Sequence, residues 1–336
     1  AGSPEAELTR AGICQCPLPA ESVRAIGLLR RAFEGLDLEG LFALPHGAAV
    51  TVAPVARADE ATEAPTEGRC GRGAADGESL RFVLTLSRPT QSMRWLCAGD
   101  SRALDAFERV AAPEVRRRLA AVAGCEVEVN AGCFIIVRDG VAHEECAPHY
   151  DFFSQAIPRG TAFTLMTPLS EQHPAHVGGL EFWPWAGPGL PHKSSDEAYR
   201  SDVRSLAVEA RPYRHGLATI IDGRLLHRTQ PYAARPAGEA SAALPRRLSD
   251  AIAGGALRVL VCAYLSGCGA TPGAWPHVER HLLRQVSSGC VRTGLSERAR
   301  ARCAGEEVPP REGAASRDDG AKERRVGGRL LGRLMK

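Results

Sequence analysis

The stretches "CEVEVN" (125–130) and "GCFIIVRDG" (132–140) mark a change in the chain's pattern. Before that point most apolar runs recur at helical spacing. From there they come in short β-branched and aromatic runs closed by Gly, Pro or Asp, which is how strands and their turns read. The series continues downstream with "TAFTLMTPL" (161–169), "GGLEFWPW" (178–185), "HGLATIIDG" (215–223) and "ALRVLVCAYL" (256–265). No helical segment alternates with these runs, so a parallel βαβ sheet is excluded and an antiparallel sandwich or barrel is expected.

Upstream, "ESVRAIGLLRRAFEGL" (21–36) predicts an amphipathic helix with Val23, Ile26, Leu29 and Phe33 on one face. "LRFVLTLS" (80–87) predicts a strand. Asp100 or Ser101 is placed to cap a helix running to Val110, and Pro113 to open the next one, since proline is tolerated in a first turn. The fold class expected is therefore mainly β with flanking helices. Residues 56–78 are polar, small and Gly-rich, and read as a flexible insertion. Residues 186–213 and 233–256 read as loops between strands, the second with a short helix at "PRRLSDAIAGG" (245–255). The organisation expected is an N-terminal arm over 1–20, one domain over 21–270, and a C-terminal extension over 271–336, partly disordered and basic at its end.

Composition narrows the classes. The 336 residues are 44% hydrophobic and 24% charged, as in ordinary globular proteins, and the formal net charge of +3 gives no footprint for nucleic acid. No apolar run approaches the roughly 20 residues of a membrane span. "AGSPEAELTR" (1–10) lacks the basic start and apolar core of a signal peptide, while the opening Ala leaves a removed presequence open. Eleven irregularly spaced cysteines include no CxxC pair, and Cys133 and Cys262 fall inside apolar runs as buried free thiols. An odd count of this kind favours a reducing, intracellular compartment. The last 15 residues carry six Lys or Arg against one Glu, a solvated basic tail whose alternative is a partner-binding helix.

"APHYD" (147–151) places a histidine and an aspartate two apart, and in an extended segment residues i and i+2 point to the same side. His227, after "LATIID" and a turn, is the best third donor. Two histidines and one carboxylate on one face of a metal leave the opposite positions open, an arrangement suited to non-haem Fe(II). H-x-D alone arises often by chance. "HEE" (143–145) offers a competing H-x-E start, but it sits in a turn and lacks the preceding proline. Arg258, at the head of a very apolar strand, needs a buried anionic partner such as a dicarboxylate.

Taken in order, "PHYD" (148–151), "GGLEF" (178–182), "HRTQP" (227–231) and "RVLVCAYL" (258–265) resemble the Fe(II)/2-oxoglutarate-dependent dioxygenases, most of all their prolyl 4-hydroxylase-like branch. The resemblance covers about residues 125–266. It implies a double-stranded β-helix (jelly-roll) core, with His149, Asp151 and His227 as iron ligands and no catalytic side chains beyond them. It also implies Fe(II), 2-oxoglutarate as co-substrate and ascorbate as reductant. The activity implied is hydroxylation of an unactivated carbon, such as a peptidyl prolyl residue or a carbon of a small molecule, with 2-oxoglutarate leaving as succinate and CO2. The basic residue that pairs with the far carboxylate of 2-oxoglutarate usually follows the distal histidine by about nine or ten positions. Arg258 follows His227 by 31, and Arg235 by eight. Arg258 is preferred because it opens a strand, the 233–256 insertion accounting for the gap. The tyrosine that many relatives use for 2-oxoglutarate is missing, with Val137 near its place. Two other readings stand beside this one, a jelly-roll binding protein that has lost catalysis and a cupin-like metal-dependent non-oxygenase.

Overall fold

The computed structural model describes residues 2–52, 79–86, 93–138, 148–152, 157–171, 178–183, 208–230, 244–267, 290 and 292. The 56–78 insertion, the "HEE" segment, Arg235 and nearly all of the C-terminal extension lie outside the described residues.

The chain opens with α1 (Pro4–Ala11), capped by the Ser3 hydroxyl, and β1 (Ile13–Pro17). Helix α2 (Ala20–Phe33) buries Ala25, Ile26, Leu29 and Phe33, but Val23 is exposed and Ser22 is buried in its stead. The expected face is thus turned by about one residue. Helix α3 (Leu38–Ala43) leads to β2 (Ala49–Val52), β3 (Leu80–Leu86) and β4 (Met93–Ala98). Asp100 caps α4 (Ser101–Val110) by accepting from the Ala103 amide, and Pro113 starts α5 (Pro113–Ala123), both as the sequence predicts.

The strand-rich half then follows as β5 (Val127–Arg138), β6 (Ala162–Pro168), β7 (Gly179–Phe182), β8 (Glu209–Pro212), β9 (Leu217–Asp222), β10 (His227–Thr229), a short helix α6 (Leu248–Ala253) and β11 (Leu257–Gly267). "CEVEVN" and "GCFIIVRDG" form the single long strand β5. Strand β8 lies at the end of the segment expected to be a loop.

An eight-stranded antiparallel sheet runs β1-β9-β6-β11-β5-β4-β3-β2, and a three-stranded sheet runs β10-β7-β8. A two-way bridge between His149 and His227 adds the "PHYD" segment to the free side of β10. The order of pairing is that of a jelly roll: β5 beside β11, β11 beside β6, β6 beside β9 in one sheet, with the "PHYD" segment, β10, β7 and β8 in the other. Antiparallel order removes the need for helical crossovers, so the helices are left to cover one face of the large sheet.

Strand alternation sorts the side chains into two cores. On the helix side lie Leu257, Val259, Val261, Ala263 and Leu265 of β11, with Phe33, Phe82, Phe107 and Phe134 in mutual contact at centroid distances of 4.5–6.4 Å. Each such side chain contributes roughly 1.5–3 kcal/mol by leaving water. Between the sheets lie Leu260, Cys262 and Tyr264 of the same strand, with Cys133, Ile135, Val137, Met166, Leu180 and Phe182. The second glycine of "GGLEF" lets β7 and β8 approach within the smaller sheet. A Cβ on Gly179 would overlap the Arg211 carbonyl of β8, its hydrogen-bonded neighbour.

Candidate metal centre

His149 and His227 exchange backbone hydrogen bonds of 2.9 and 3.0 Å, and in such an antiparallel pair the two side chains leave on the same face. Their rings stand 4.5 Å apart, tilted by 52°. Asp151, two residues on, shares that face. Its position is secured from the other side, where the Phe152 amide donates to the Gly223 carbonyl at 2.8 Å and the Phe152 ring is fully buried. The Phe152 ring also explains the glycine of "DGRLLH", because a Cβ at Gly223 would overlap it.

The donor atoms converge. Asp151 Oδ1 is 3.7 Å from His149 Nε2 and 3.8 Å from His227 Nε2, and one donor atom from each residue falls within 4.8 Å of the other two. It is the one such cluster of three among the described residues. His227 Nδ1 lies 2.9 Å from the Leu225 carbonyl. A carbonyl only accepts, so Nδ1 carries the hydrogen and the lone pair is on Nε2, toward Asp151. Burial pushes His227 down to about 4, opposed by the Asp151 carboxylate and assisted by His149. The imidazole is thus neutral near pH 7, the state a metal ligand requires.

The turn that delivers His227 is itself braced. Asp222, at the end of β9, accepts from the amides of Gly160 and Arg224, and its carbonyl accepts from Leu225 at 2.9 Å. Leu225 in turn supplies the carbonyl that fixes the His227 tautomer. Burial raises the Asp222 carboxyl to about 6 against the pull of those two amides. On the far side of Asp151, its Oδ2 accepts from the Thr164 hydroxyl of β6 at 2.5 Å.

The site opens on one side. The His149 side chain is 44% exposed, while those of His227 and Asp151 are each 4% exposed. Beside the mouth, Trp183 and Leu226 pack with Tyr150, and the Arg228 guanidinium lies 5.6 Å from the Trp183 ring while bonded to Glu181.

Arg258 is fully buried and shares the inner face of β11 with Leu260, Cys262 and Tyr264. Val137 is its cross-strand neighbour on β5. Its Nη2 donates to the Gln230 carbonyl at 3.2 Å, which ties it to the strand carrying His227. The Tyr213 ring lies 6.0 Å from its guanidinium. Tyr213 is buried, its hydroxyl approaches Met166 Sδ at 3.6 Å, and burial raises it above the usual phenol range, opposed by the Arg258 charge. Tyr213 ends the segment 186–213 that the sequence predicts to be a loop between strands. The flanking arginines and proline conceal a buried aromatic that closes β8 onto the inner face. The remaining sequence signal was its place between a Pro and the Gly216 turn.

Among the described residues no cysteine joins a cluster of three metal-ligating side chains. Cys14, Cys16, Cys97, Cys125, Cys133 and Cys262 form no disulfide, and burial raises the Cys14 and Cys16 thiols. Cys133 and Cys262 are buried, as expected from their apolar runs, and they are cross-strand partners on β5 and β11.

No family model matches the sequence, and no curated protein matches it. The chain is similar to the solved structure of the non-heme alpha ketoglutarate dependent epimerase SnoN from nogalamycin biosynthesis, at 17% identity over 79% of this chain and 80% of that one, with a TM-score of 0.44. It is similar to AviO1 from Streptomyces viridochromogenes Tue57 at 16% identity over 80% and 96%, TM-score 0.47. A third similarity is to HygX from Streptomyces hygroscopicus with nickel and 2-oxoglutarate bound, at 11% identity over 80% and 88%, TM-score 0.46. The functional reading of this chain rests on its own jelly-roll pairing and on the residues gathered at its mouth.

Proposed function

We propose that the protein is an Fe(II)- and 2-oxoglutarate-dependent oxygenase that hydroxylates an unactivated carbon, with His149, Asp151 and His227 as the iron ligands. The observation that carries this reading is the convergence of those three donors on one face of the jelly-roll mouth. The donor set fits the metal. Octahedral bonds of about 2.1 Å set neighbouring donors about 3 Å apart, and the distances of 3.7 and 3.8 Å from Asp151 to the two imidazoles exceed that by less than 1 Å. Two imidazoles and one carboxylate suit Fe(II), whereas a closed four-ligand structural site would need a further donor. Bound Fe(II) supplies the oxygen chemistry, in which 2-oxoglutarate leaves as succinate and CO2 and one oxygen atom enters a C–H bond of the substrate.

The rest falls to the chain. Arg258 is the residue proposed to receive the far carboxylate of 2-oxoglutarate, because a buried guanidinium offers a planar pair of donors that matches it. Gln230 and Tyr213 steady that guanidinium from two sides. Arg235, the other candidate from the sequence, stays the fallback. The buried walls around Asp151 and His227 exclude water, and the exposed flank of His149 is the side from which substrate enters. Peptidyl proline is the first substrate to test, since the four segments follow the prolyl 4-hydroxylase-like order, and ascorbate belongs in the assay as reductant. Amino-acid and small-molecule acceptors form the second arm.

Purified protein with Fe(II), ascorbate and 2-oxoglutarate is expected to form succinate, and His149→Ala to abolish it. Mass spectrometry of candidate substrates for the gain of one oxygen atom then separates the arms. Absence of both turnover and 2-oxoglutarate binding in the wild type would sink the proposal.

A further inference from the structure

We infer that Thr164 is a positioning residue that fixes how many coordination positions Asp151 can fill. The inference rests on the metal-centre reading above. Asp151 is buried, and its two oxygens have different surroundings. Oδ1 faces both imidazole Nε2 atoms, at 3.7 and 3.8 Å. Oδ2 is turned to β6 and accepts the Thr164 hydroxyl at 2.5 Å. A carboxylate held this way offers one oxygen to a metal and keeps the second engaged elsewhere.

The hydroxyl is not something the strand needs. Thr164 is buried on the inner face of β6, opposite Tyr264 on one side and Ile221 on the other. Valine has the same shape and an equal preference for strands. A threonine there leaves a polar group to be satisfied in an apolar setting, and Asp151 satisfies it. The pair is therefore specific.

Counting positions gives the consequence. An octahedral metal has six positions. One from each of the three protein ligands leaves three, which a chelating 2-oxo acid and one further small ligand fill. If Asp151 closed on the metal with both oxygens, only two would remain, and chelation of the 2-oxo acid would leave no place for dioxygen. Thr164 holds Oδ2 away and keeps the third position open.

Co(II) is the probe, because its visible absorption reports coordination number without turnover. Full-length wild type, Thr164→Val and Thr164→Ser are loaded with Co(II) alone and then titrated with 2-oxoglutarate. Thr164→Val is expected to change the Co(II) spectrum before any 2-oxoglutarate is added and to weaken 2-oxoglutarate binding about tenfold or more. Thr164→Ser, which keeps the hydroxyl, is expected to restore both. A Thr164→Val spectrum and 2-oxoglutarate affinity within about twofold of wild type would overturn the inference, as would a serine variant that behaves like valine. Thr164→Ala serves as a second hydroxyl-free variant. If neither it nor Thr164→Val folds as apo-protein while Thr164→Ser does, the hydroxyl belongs to folding and the inference falls. Wild type that takes up no Co(II) overturns the metal centre itself, an outcome distinct from an unaltered Thr164→Val.

Discussion

On the face of the large sheet that meets the helices, β11 presents Leu257, Val259, Val261, Ala263 and Leu265; on the other face it presents Arg258, Leu260, Cys262 and Tyr264. Strand β6 divides in the same manner, with Phe163 and Leu165 on one side and Thr164 and Met166 on the other. The helix face is nearly pure hydrocarbon, closed by four phenylalanines. The inner face mixes hydrocarbon with a guanidinium, a phenol, thiols and a hydroxyl. One face is built to exclude water and is judged by packing alone. The other must hold polar atoms in set directions, so each needs a partner. Mutations on the two faces should therefore fail differently.

The largest expected effect is on the helix face. Phe134→Ala removes a ring that touches Phe33, Phe82 and Phe107, and should cost about 3–5 kcal/mol in urea unfolding. Fe(II) binding per folded molecule should be unchanged. Loss of metal binding without loss of stability would break the comparison. Asp151→Ala should behave in reverse, lowering succinate formation by about 1,000-fold, equivalent to about 4 kcal/mol of barrier, with the thermal midpoint of the apo-protein unchanged or raised.

Asp222 tests the inner turn by pH. Its carboxyl is raised to about 6, so the native state holds the proton more tightly than the unfolded chain, whose carboxyl titrates near 3.8. The stability this gives is present in full below about 4 and lost as pH rises through about 6. Asp222→Asn stays neutral throughout. The variant should gain on the wild type by up to about 3 kcal/mol between pH 4 and pH 7, read from paired urea melts. A constant difference across that range would show that the buried carboxyl does not titrate as described. The smallest effect is expected for Arg258→Lys, which keeps the charge but loses the planar fork. The KM for 2-oxoglutarate should rise about tenfold with kcat less affected.

Much of this arrangement is legible in the sequence because short-range geometry determines it. His149 and Asp151 share a side through the two-residue period of an extended segment, and Asp100 and Pro113 mark helix starts by local chemistry. What long-range contacts decide is not legible. Thr164 lies 13 residues from Asp151 with nothing in between to signal the bond. Val23 is exposed and Ser22 buried because α2 packs against α4, a contact far apart in sequence, and hydrophobicity alone leaves the face loose by a residue. "ICQCP" (13–17) shows no clean alternation, yet it is a strand, since the open side of β9 supplies its hydrogen bonds. Tyr213 is hidden by charged neighbours that remain partly in water while its ring turns inward.

The pairing of β1 with β9 also bears on how the molecule is made. Gln15 donates to Thr219 across 204 residues of sequence, so β1 is completed by a strand far downstream of it. Closing so long a loop is slow, and until it closes β9 shows a row of unsatisfied amides and carbonyls to any other strand in solution. The first described strand thus covers an edge that β9 would otherwise leave open, and moves the end of the sheet out to β1.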